Sequence, residues 1–212
     1  MSIDYSIYAV TDRRYHPGVA IETVVEEAIL GGATIVQLRE KTAQGKEFFE
    51  QAVRLKALTD RYAIPLIIND RIDIALLVGA GLHIGQEDIP LTAARRLLPN
   101  AVIGVSVATV AQAMEAEQNG ASYLGVGSLF ATSSKADADA MSHTTLQEIR
   151  EAVELPLIGI GGITAKNVSS LPIPLEGYAV ISDIFAKEDR QLAAEQMTDA
   201  VREWHQSLQN RV

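Results

Sequence analysis

The residues best suited to bind a ligand are the charged residues that follow a short apolar run. The run Ile35–Leu38 is the kind that forms a buried parallel strand, and Arg39, Glu40 and Lys41 come directly after it. In α/β folds, ligand chemistry lies at the carboxyl ends of such strands. Arg39 and Lys41 are two residues apart, so an extended backbone projects both cations to one side, where they could bind phosphate or diphosphate. The alternative is a solvated strand end with a surface ion pair.

Two carboxylates follow neighbouring predicted strands. Asp70 comes soon after the apolar run 66–68, and Asp88 comes soon after 81–84. Carboxylate oxygens on one side of a cavity suit Mg²⁺, which keeps several waters and takes further ligands from phosphate. The alternative role for each aspartate is to cap the helix that follows it, with Pro90 near the start of the helix after Asp88.

A polar loop over residues 127–142 supplies one more cation. Lys135 is the only cation in this loop, and three hydroxyl residues precede it directly: Thr132, Ser133 and Ser134. Hydroxyls and backbone amides beside a lysine can hold an anion and close over it as a lid. The alternative is a flexible polar connection whose lysine keeps it soluble. Loops of this length in compact domains are usually functional or disordered.

Glycines late in the chain indicate a second anion site. Gly161 and Gly162 follow a predicted strand and let backbone N–H groups approach a ligand without a Cβ in the way. In barrels, phosphate often lies after strands seven and eight, against a short helix that Ser182 would cap here. Tight turns also use glycine, so the glycines indicate a phosphate site only in combination with Ser182.

The composition is that of an ordinary globular protein. The 212 residues are 48% hydrophobic and 21% charged, which predicts a single domain over 1–212. The chain has no cysteine, so disulfides and thiolate chemistry are excluded. It also has no secretory leader pattern and no apolar run of membrane-spanning length, and we expect a cytoplasmic protein with no membrane partner. A net charge of −9 argues against nucleic-acid binding but permits a small anion in a local basic pocket.

The elements that position these residues alternate regularly. Strand patterns occur at 5–11, 34–38, 66–68, 81–84, 102–105, 123–126, 157–160 and 178–181. Helical patterns separate them and close the chain, at 21–30, 48–58, 73–78, 91–98, 110–118, 143–153, 165–171 and 191–208. This repetition predicts an α/β fold, a single (β/α)8 TIM barrel, with an open doubly wound sheet as the alternative.

In a barrel, nearly all the unusual polar clusters fall on one rim, just after a strand. Asn69 and Ser106 join the residues above in this position, after strands three and five. The rim then holds a metal–diphosphate site near strands two to four and a monophosphate site near strands seven and eight. That pairing predicts a transferase whose leaving group is diphosphate.

The motifs resemble those of the thiamine-phosphate synthase family, in the family's order and over nearly the whole chain. They are Val10-Thr11-Asp12-Arg13, Gln37-Leu38-Arg39-Glu40-Lys41, Ile68-Asn69-Asp70, His83-Ile84-Gly85-Gln86-Glu87-Asp88, Gly104-Val105-Ser106 and Gly159-Ile160-Gly161-Gly162-Ile163. The resemblance implies an enzyme that joins hydroxymethylpyrimidine diphosphate to hydroxyethylthiazole phosphate, giving thiamine phosphate and diphosphate. Small homo-oligomers are common in that family, and the sequence leaves the oligomeric state open.

The resemblance also implies roles for individual residues. Asp70 and Asp88 correspond to the Mg²⁺ ligands, and Ser106 corresponds to a pyrimidine contact. The diphosphate side would be formed by Gln37, Arg39, Lys41, Asn69 and Lys135, and Leu38 and Glu40 of the same motif would be further substrate-binding residues. The thiazole-phosphate side would be formed by Thr132, Ser133, Ser134, Gly162, Ile181 and Ser182. Arg39, Lys41, Ser106 and Lys135 would act in catalysis, in a dissociative mechanism that stabilises departing diphosphate without an enzymic nucleophile.

The chain departs from the family pattern at three places. Ala108 stands where the family usually has histidine, the loop reads Thr132-Ser133-Ser134-Lys135 in place of Thr-x-Thr-Lys, and the segment 172–177 replaces a Gly-Ala-Asp-Gly turn before strand eight. The last change shortens the helix before that strand.

Two other functions compete with the synthase. The related thiazole tautomerases share the barrel, but their catalytic histidine falls at Ala108, and they do not need the apparatus for binding diphosphate. His83 is the nearest substitute, although its place within a strand is more typical of a hydrogen-bonded interior residue. A phosphate-ligand sensor built on a degenerate barrel is the non-enzymatic alternative, but it would have little use for two aspartates beside an Arg-Lys strand end.

Overall fold

Eight parallel strands close into a barrel in the computed structural model, which describes residues 3–131 and 140–209. Each strand pairs with the next one along the chain, and β8 (Gly177–Val180) pairs with β1 (Ile7–Val10) to close the sheet. The predicted (β/α)8 barrel is therefore confirmed, and the open doubly wound sheet is excluded. Among the described residues, no helix is both long and apolar enough to cross a membrane.

The helices of the outer layer follow the strands in turn. The remaining strands are β2 (Ile35–Leu38), β3 (Leu66–Asn69), β4 (Gly81–Ile84), β5 (Ile103–Val107), β6 (Tyr123–Val126) and β7 (Leu157–Ile160). The helices are α1 (Ile21–Leu30), α2 (Gly45–Arg61), α3 (Ile72–Val78), α4 (Leu91–Leu97), α5 (Val110–Gln118), α6 (His143–Ala152), α7 (Ser182–Phe185) and α8 (Arg190–Gln209). Short 3-10 turns cover Arg13–Tyr15 and Val168–Ser170.

Alternation along each strand divides the core into two layers. On β1, Ile7 and Ala9 pack outward against the helices, whereas Tyr8 and Val10 point into the barrel. The outer layer is almost entirely aliphatic, and three tyrosines stand in the inner one: Tyr5, Tyr8 and Tyr123. The barrel interior thus combines aliphatic side chains with three that carry hydroxyl groups, which makes its floor polar as well as packed.

Two local predictions were wrong, and one alternative role is excluded. The segment 165–171 forms only the 3-10 turn Val168–Ser170, because Pro172 and Pro174 end the helical pattern early. Ser182 is the first residue of α7 and does not cap it; Ile181 holds the cap position. Neither aspartate caps a helix, since Arg71 and Pro90 hold the cap positions of α3 and α4.

Gly104 leaves the space that the ring of Tyr123 occupies. A Cβ at Gly104 would lie 2.0 Å from Cζ and 2.4 Å from the hydroxyl oxygen of Tyr123. The tyrosine is fully buried, so its ring has nowhere to retreat. The strand pair β5–β6 therefore requires glycine at this position in order to seat the tyrosine inside the barrel.

We expect Gly104→Ala to destabilise the fold by about 1–3 kcal/mol, because the added methyl group overpacks the barrel interior. Gly45→Ala is the matched control, since its Cβ would meet only the flexible end of Arg71 at 3.6 Å. Urea denaturation of both variants measures the free energy of unfolding. Equal stability of the two variants would show that the ring of Tyr123 can move aside.

Candidate active site

A cavity opens at the carboxyl end of the barrel and is lined by residues from all parts of the chain. Its floor lies inside the barrel and its walls are the strand ends. It is lined by Tyr8, Val10, Gln37, Arg39, Asn69, His83, Ser106, Tyr123, Gly125, Gly127, Ser128, Ile158, Ile160, Gly161, Gly162, Ile163, Ala179, Ile181 and Ser182. The structure thus brings together Gln37, Arg39, Asn69, Ser106, Gly162, Ile181 and Ser182, all predicted as site residues.

Arg39 is held in the cavity wall by the end of β1. Its backbone N–H donates to the hydroxyl of Thr11 at 3.0 Å, and its guanidinium Nη1 lies 3.4 Å from Oδ2 of Asp12. Asp12 is 5% exposed and also accepts two hydrogen bonds from the Arg14 side chain, at 3.0 and 2.7 Å. Burial by itself would raise the pKa of Asp12, but the hydrogen bonds from Arg14 and the charges of Arg14 and Arg39 outweigh it and hold that pKa below its usual value.

Lys41, Asp70 and Asp88, all predicted as site residues, are not among the residues that line the cavity. They form a charged group next to it, since Lys41 and Asp70 follow the lining residues Arg39 and Asn69 in the chain. Nζ of Lys41 lies 2.5 Å from Oδ2 of Asp70, and Oδ2 of Asp88 accepts the backbone N–H of Gly85 at 2.7 Å. Burial raises the pKa of Asp88, the Gly85 hydrogen bond lowers it, and the charge and contact of Asp70 raise it again, so that the net shift is upward. The two carboxylates therefore lie close enough to repel each other, as a pair that shares a cation does.

The backbone at Asp70 is itself unusual. Its φ is +63°, in the left-handed region that few residues other than glycine adopt, and its N–H donates to the carbonyl of His83 at 2.9 Å. Aspartate tolerates this conformation better than most residues. A conformation of this cost persists where the surrounding structure fixes it, and such positions cluster at functional sites.

Asn69 carries an unused donor at the cavity wall. The residue is 8% exposed and lines the cavity, and its Nδ2 has no hydrogen-bond partner. A buried amide left unpaired costs about 1–3 kcal/mol. Its position favours a ligand oxygen as the missing acceptor.

The glycines after β7 form a close-fitting turn on the opposite side of the cavity. Gly161 and Gly162 have φ values of +97° and +65°. A Cβ at Gly161 would lie 2.1 Å from Oγ of Ser128, and one at Gly162 would lie 2.5 Å from the carbonyl oxygen of Ala131. The 127–131 segment therefore packs directly on the glycine turn, and both conformation and space require glycine there.

Some predicted contacts lie elsewhere. Leu38 is fully buried between sheet and helices, and Glu40 is buried and paired with Arg13 at 3.1 Å, so neither side chain lines the cavity. Their alternation with Gln37 and Arg39 along the strand turns them to the other face. Thr132, Ser133, Ser134 and Lys135 lie outside the described residues.

The residues that sequence reasoning missed are mostly interior hydroxyls. Tyr8 and Tyr123 line the floor of the cavity, and Ser128 lines its wall. In the sequence the two tyrosines look like ordinary strand residues. The only signal that could have identified them is the alternation along each strand, which points their side chains into the barrel and not toward the helices. His83 is a hydrogen-bonded interior residue as expected, and it also lines the cavity.

The donor set is compatible with Mg²⁺ held partly by a ligand. Within residues 3–131 and 140–209 there is no group of three or more histidines, cysteines, aspartates or glutamates that could hold a metal ion. Asp70 and Asp88 alone supply two hard oxygens, and Mg²⁺ commonly takes only one or two carboxylates, with the rest from water and phosphate. Burial is the main cause of the raised pKa of Asp88, and a divalent ion would relieve the further part that comes from the charge of Asp70.

Comparisons with known proteins agree with one another. The family model for thiamine monophosphate synthase matches residues 7–184. The thiamine-phosphate synthase of Clostridium tetani is 50% identical over 200 residues, covering 93% of this chain and 96% of that protein. The corresponding enzyme of Ruminiclostridium cellulolyticum is 48% identical over 200 residues, covering 93% and 95%. Among solved structures, thiamine phosphate pyrophosphorylase from Pyrococcus furiosus aligns with a TM-score of 0.86 at 38% identity, covering 95% of this chain and 98% of that one.

We expect Asp12→Asn to lower the free energy of unfolding by about 1–3 kcal/mol at neutral pH, because it removes a buried charge that accepts from Arg14 and pairs with Arg39. Since the folded pKa of Asp12 is lowered, its contribution is complete above the ordinary carboxyl pKa near 4 and is lost as pH falls through the lower folded value. The difference between wild type and variant should therefore be constant from about pH 7 to 5 and shrink below about pH 4.

Urea denaturation over this pH range measures the difference. Asp199→Asn is the control, because Asp199 belongs to an exposed pair with Arg202 in which each side chain is 62% exposed, and such pairs contribute little. A difference for Asp12→Asn that grows on acidification would contradict the assignment.

Proposed function

Because the chain belongs to the thiamine monophosphate synthase family, we propose that it joins hydroxymethylpyrimidine diphosphate to hydroxyethylthiazole phosphate. The products are thiamine phosphate and diphosphate, and the enzyme is a transferase. The observation that carries this proposal is the convergence on one cavity of Arg39, Asn69, Ser106 and the glycine turn, with Lys41 and the aspartate pair at its edge.

The diphosphate binds on the side of β2 and β3. Arg39 offers a planar guanidinium whose position Thr11 and Asp12 already fix, so little entropy is lost when it pairs with an oxyanion. Asn69 offers its unpaired Nδ2, and Lys41 offers a half-exposed ammonium that lies 2.5 Å from Asp70. When diphosphate and its metal arrive, Lys41 exchanges one anionic partner for another.

Asp70 and Asp88 hold Mg²⁺ in this proposal. The bound ion supplies a Lewis acid that neutralises the charge developing on the leaving diphosphate. The protein's own part is to place two carboxylates on adjacent strand ends and to bring Arg39 and Lys41 to the same oxygens. Such preorganised charges stabilise the transition state more than the ground state, because the negative charge on the leaving group increases as the bond breaks.

The reaction is dissociative. The bond between the pyrimidine methylene carbon and the diphosphate oxygen breaks first, and its electron pair leaves with the oxygen. The thiazole nitrogen then donates its lone pair to the pyrimidine-methyl cation, forming the new carbon–nitrogen bond. Ser106 and Gln37 hold the pyrimidine on the cavity floor, and no protein nucleophile is needed.

The thiazole phosphate binds across the cavity, against the glycine turn. Gly161 and Gly162 line the cavity with backbone alone, whose N–H groups can donate to phosphate, and Ser182 adds a hydroxyl at the rim. Ile181 lies beside them as an apolar wall for the thiazole ring. By the family motif we also assign Thr132, Ser133 and Ser134 to this side of the site and Lys135 to the diphosphate, although these four residues lie outside the described part of the chain. In this proposal the two substrates lie on opposite walls of one cavity, so that the thiazole nitrogen can reach the methylene carbon.

A coupled assay of diphosphate release tests the function. With both substrates and Mg²⁺, the wild type should release diphosphate, and omission of either substrate or the metal should abolish release. We expect Asp70→Asn and Asp88→Asn each to lower kcat/KM by about 100-fold, because each removes a charge from the metal–diphosphate site.

The control for both variants is Asp73→Asn. Asp73 lies in the first turn of α3 and is paired with Arg71 at 2.6 Å, with over half of its side chain exposed. The Asp73→Asn variant should keep kcat/KM within about twofold of the wild-type value. Full activity of Asp70→Asn and Asp88→Asn, or activity without a divalent metal, would contradict the proposed site.

A further inference from the structure

Five side chains form one continuous hydrogen-bonded chain across the floor of the cavity. Nε2 of Gln37 donates to the hydroxyl of Tyr8 at 2.8 Å, and that hydroxyl lies 2.7 Å from the hydroxyl of Tyr123. The Tyr123 hydroxyl lies 3.0 Å from Nδ1 of His83, and Nε2 of His83 lies 2.9 Å from Oγ of Ser106. Both ends of the chain, Gln37 and Ser106, line the cavity from different sides of the barrel.

The Gln37 end sets the direction of every bond. Because the Tyr8 oxygen accepts from Gln37, its own proton goes to Tyr123, and the Tyr123 proton then goes to Nδ1 of His83. Any other arrangement leaves a buried hydroxyl proton without an acceptor, which costs about 1–3 kcal/mol. His83 is therefore the neutral tautomer protonated at Nε2, and it donates to Oγ of Ser106.

The two ends of the chain consequently offer a ligand opposite hydrogen-bonding groups, an acceptor at one end and a donor at the other. The Gln37 carbonyl oxygen, Oε1, is left as an acceptor at one end, and the Ser106 hydroxyl is left as a donor at the other. Reversal of the Gln37 amide would reverse every bond and exchange the two characters. The ends are therefore coupled: a donor at one end requires an acceptor at the other.

The surroundings keep the chain neutral and in place. Tyr8 and Tyr123 are 1% and 0% exposed, and burial raises the pKa of each phenol above its usual value, so both keep the protons that the chain needs. Gly104 makes room for the Tyr123 ring, and a Cβ at Gly125 would lie 3.1 Å from Cε1 of His83. The ring of His83 stacks on that of Tyr123, with centroids 5.6 Å apart.

We propose that this chain determines specificity by fixing an acceptor at Gln37 and a donor at Ser106, a pattern complementary to an aminopyrimidine ring. The exocyclic amino group of such a ring donates to Oε1 of Gln37, and a ring nitrogen accepts from Ser106. Tyr8, Tyr123 and His83 are positioning residues, which act through the two ends. The assignment of the ligand rests on the proposed function, whereas the direction of the chain does not.

The first test determines the direction of the hydrogen bonds in the chain and needs no substrate. Nitrogen-15 NMR of the imidazole ring, with the His83 signals identified by their loss in His83→Asn, should show the Nε2–H tautomer in the wild type at about pH 8, where histidine is ordinarily neutral. In Gln37→Glu, an ionised carboxylate can only accept, so the chain must reverse and His83 must become the Nδ1–H tautomer. The carbon-13 shift of the new carboxyl group reports its ionisation in the same sample.

The double variant supplies the control for this coupling. In Gln37→Glu combined with Tyr123→Phe the chain is cut, and ionisation of the carboxyl group should no longer change the His83 tautomer. An Nδ1–H tautomer in the wild type overturns the proposal. So does a tautomer that stays unchanged in Gln37→Glu while the carboxyl group ionises.

The second test measures substrate specificity in the coupled diphosphate assay. It also decides whether the chain acts on the pyrimidine if the carboxyl group of Gln37→Glu stays protonated and the first test gives no reversal. Tyr123→Phe should raise KM for the pyrimidine diphosphate by about tenfold and leave KM for the thiazole phosphate unchanged, since one oriented hydrogen bond is lost at the pyrimidine alone. Tyr178→Phe is the matched control. Its hydroxyl is also buried, but it lies 3.0 Å from His205 and does not line the cavity, so both KM values should stay as in the wild type.

The outcomes separate this proposal from the proposed function. Equal kinetics of Tyr123→Phe and Tyr178→Phe, or a rise in both KM values in Tyr123→Phe, would overturn the specificity role. Absence of diphosphate release in the wild type would instead contradict the function, and the NMR experiment would still decide the direction of the chain. A Tyr123→Phe variant that does not fold leaves the Gln37→Glu tautomer as the deciding measurement.

Discussion

Closure of the parallel sheet is the constraint on which the site depends. Because β8 pairs with β1 and all strands run the same way, every strand ends on one rim, and residues far apart in sequence meet there. Arg39 and Gly162 thereby line a single cavity, although more than a hundred residues separate them. An open sheet with the same residues would spread these groups along an edge, and no common cavity would form.

An acidic protein can bind polyphosphate because its cations are placed in advance. The chain has a net charge of −9, yet Arg39 stands in the cavity wall with Asp12 and Thr11 behind it, and Lys41 lies against Asp70. These acidic partners fix the cations and also lower the local positive charge, and in the proposed function they would favour an anion that brings its own divalent metal. Burial, together with the charge of Asp70, raises the pKa of Asp88.

The sequence predicted the barrel and most of the rim because both depend on local pattern. Strand period, helix period and polar residues at strand ends are visible along the chain, and they placed Gln37, Arg39 and Asn69 correctly in the cavity wall. Which side chains face inward at the irregular strand ends was harder to judge. Glu40 turns away to Arg13, and Asp70 has a left-handed φ that its residue type does not reveal. The hydroxyl chain was also invisible, since its bonds join residues up to 115 positions apart.

The most direct measurement is a crystal structure with Mn²⁺ in place of Mg²⁺ and with the pyrimidine diphosphate, located by the anomalous signal of the metal. Convergence of the strand ends on one site predicts a single Mn²⁺ peak at the carboxylates of Asp70 and Asp88, bridged to a diphosphate that also contacts Arg39 and Lys41. A metal peak elsewhere, or a diphosphate bound away from this rim, would contradict the central claim.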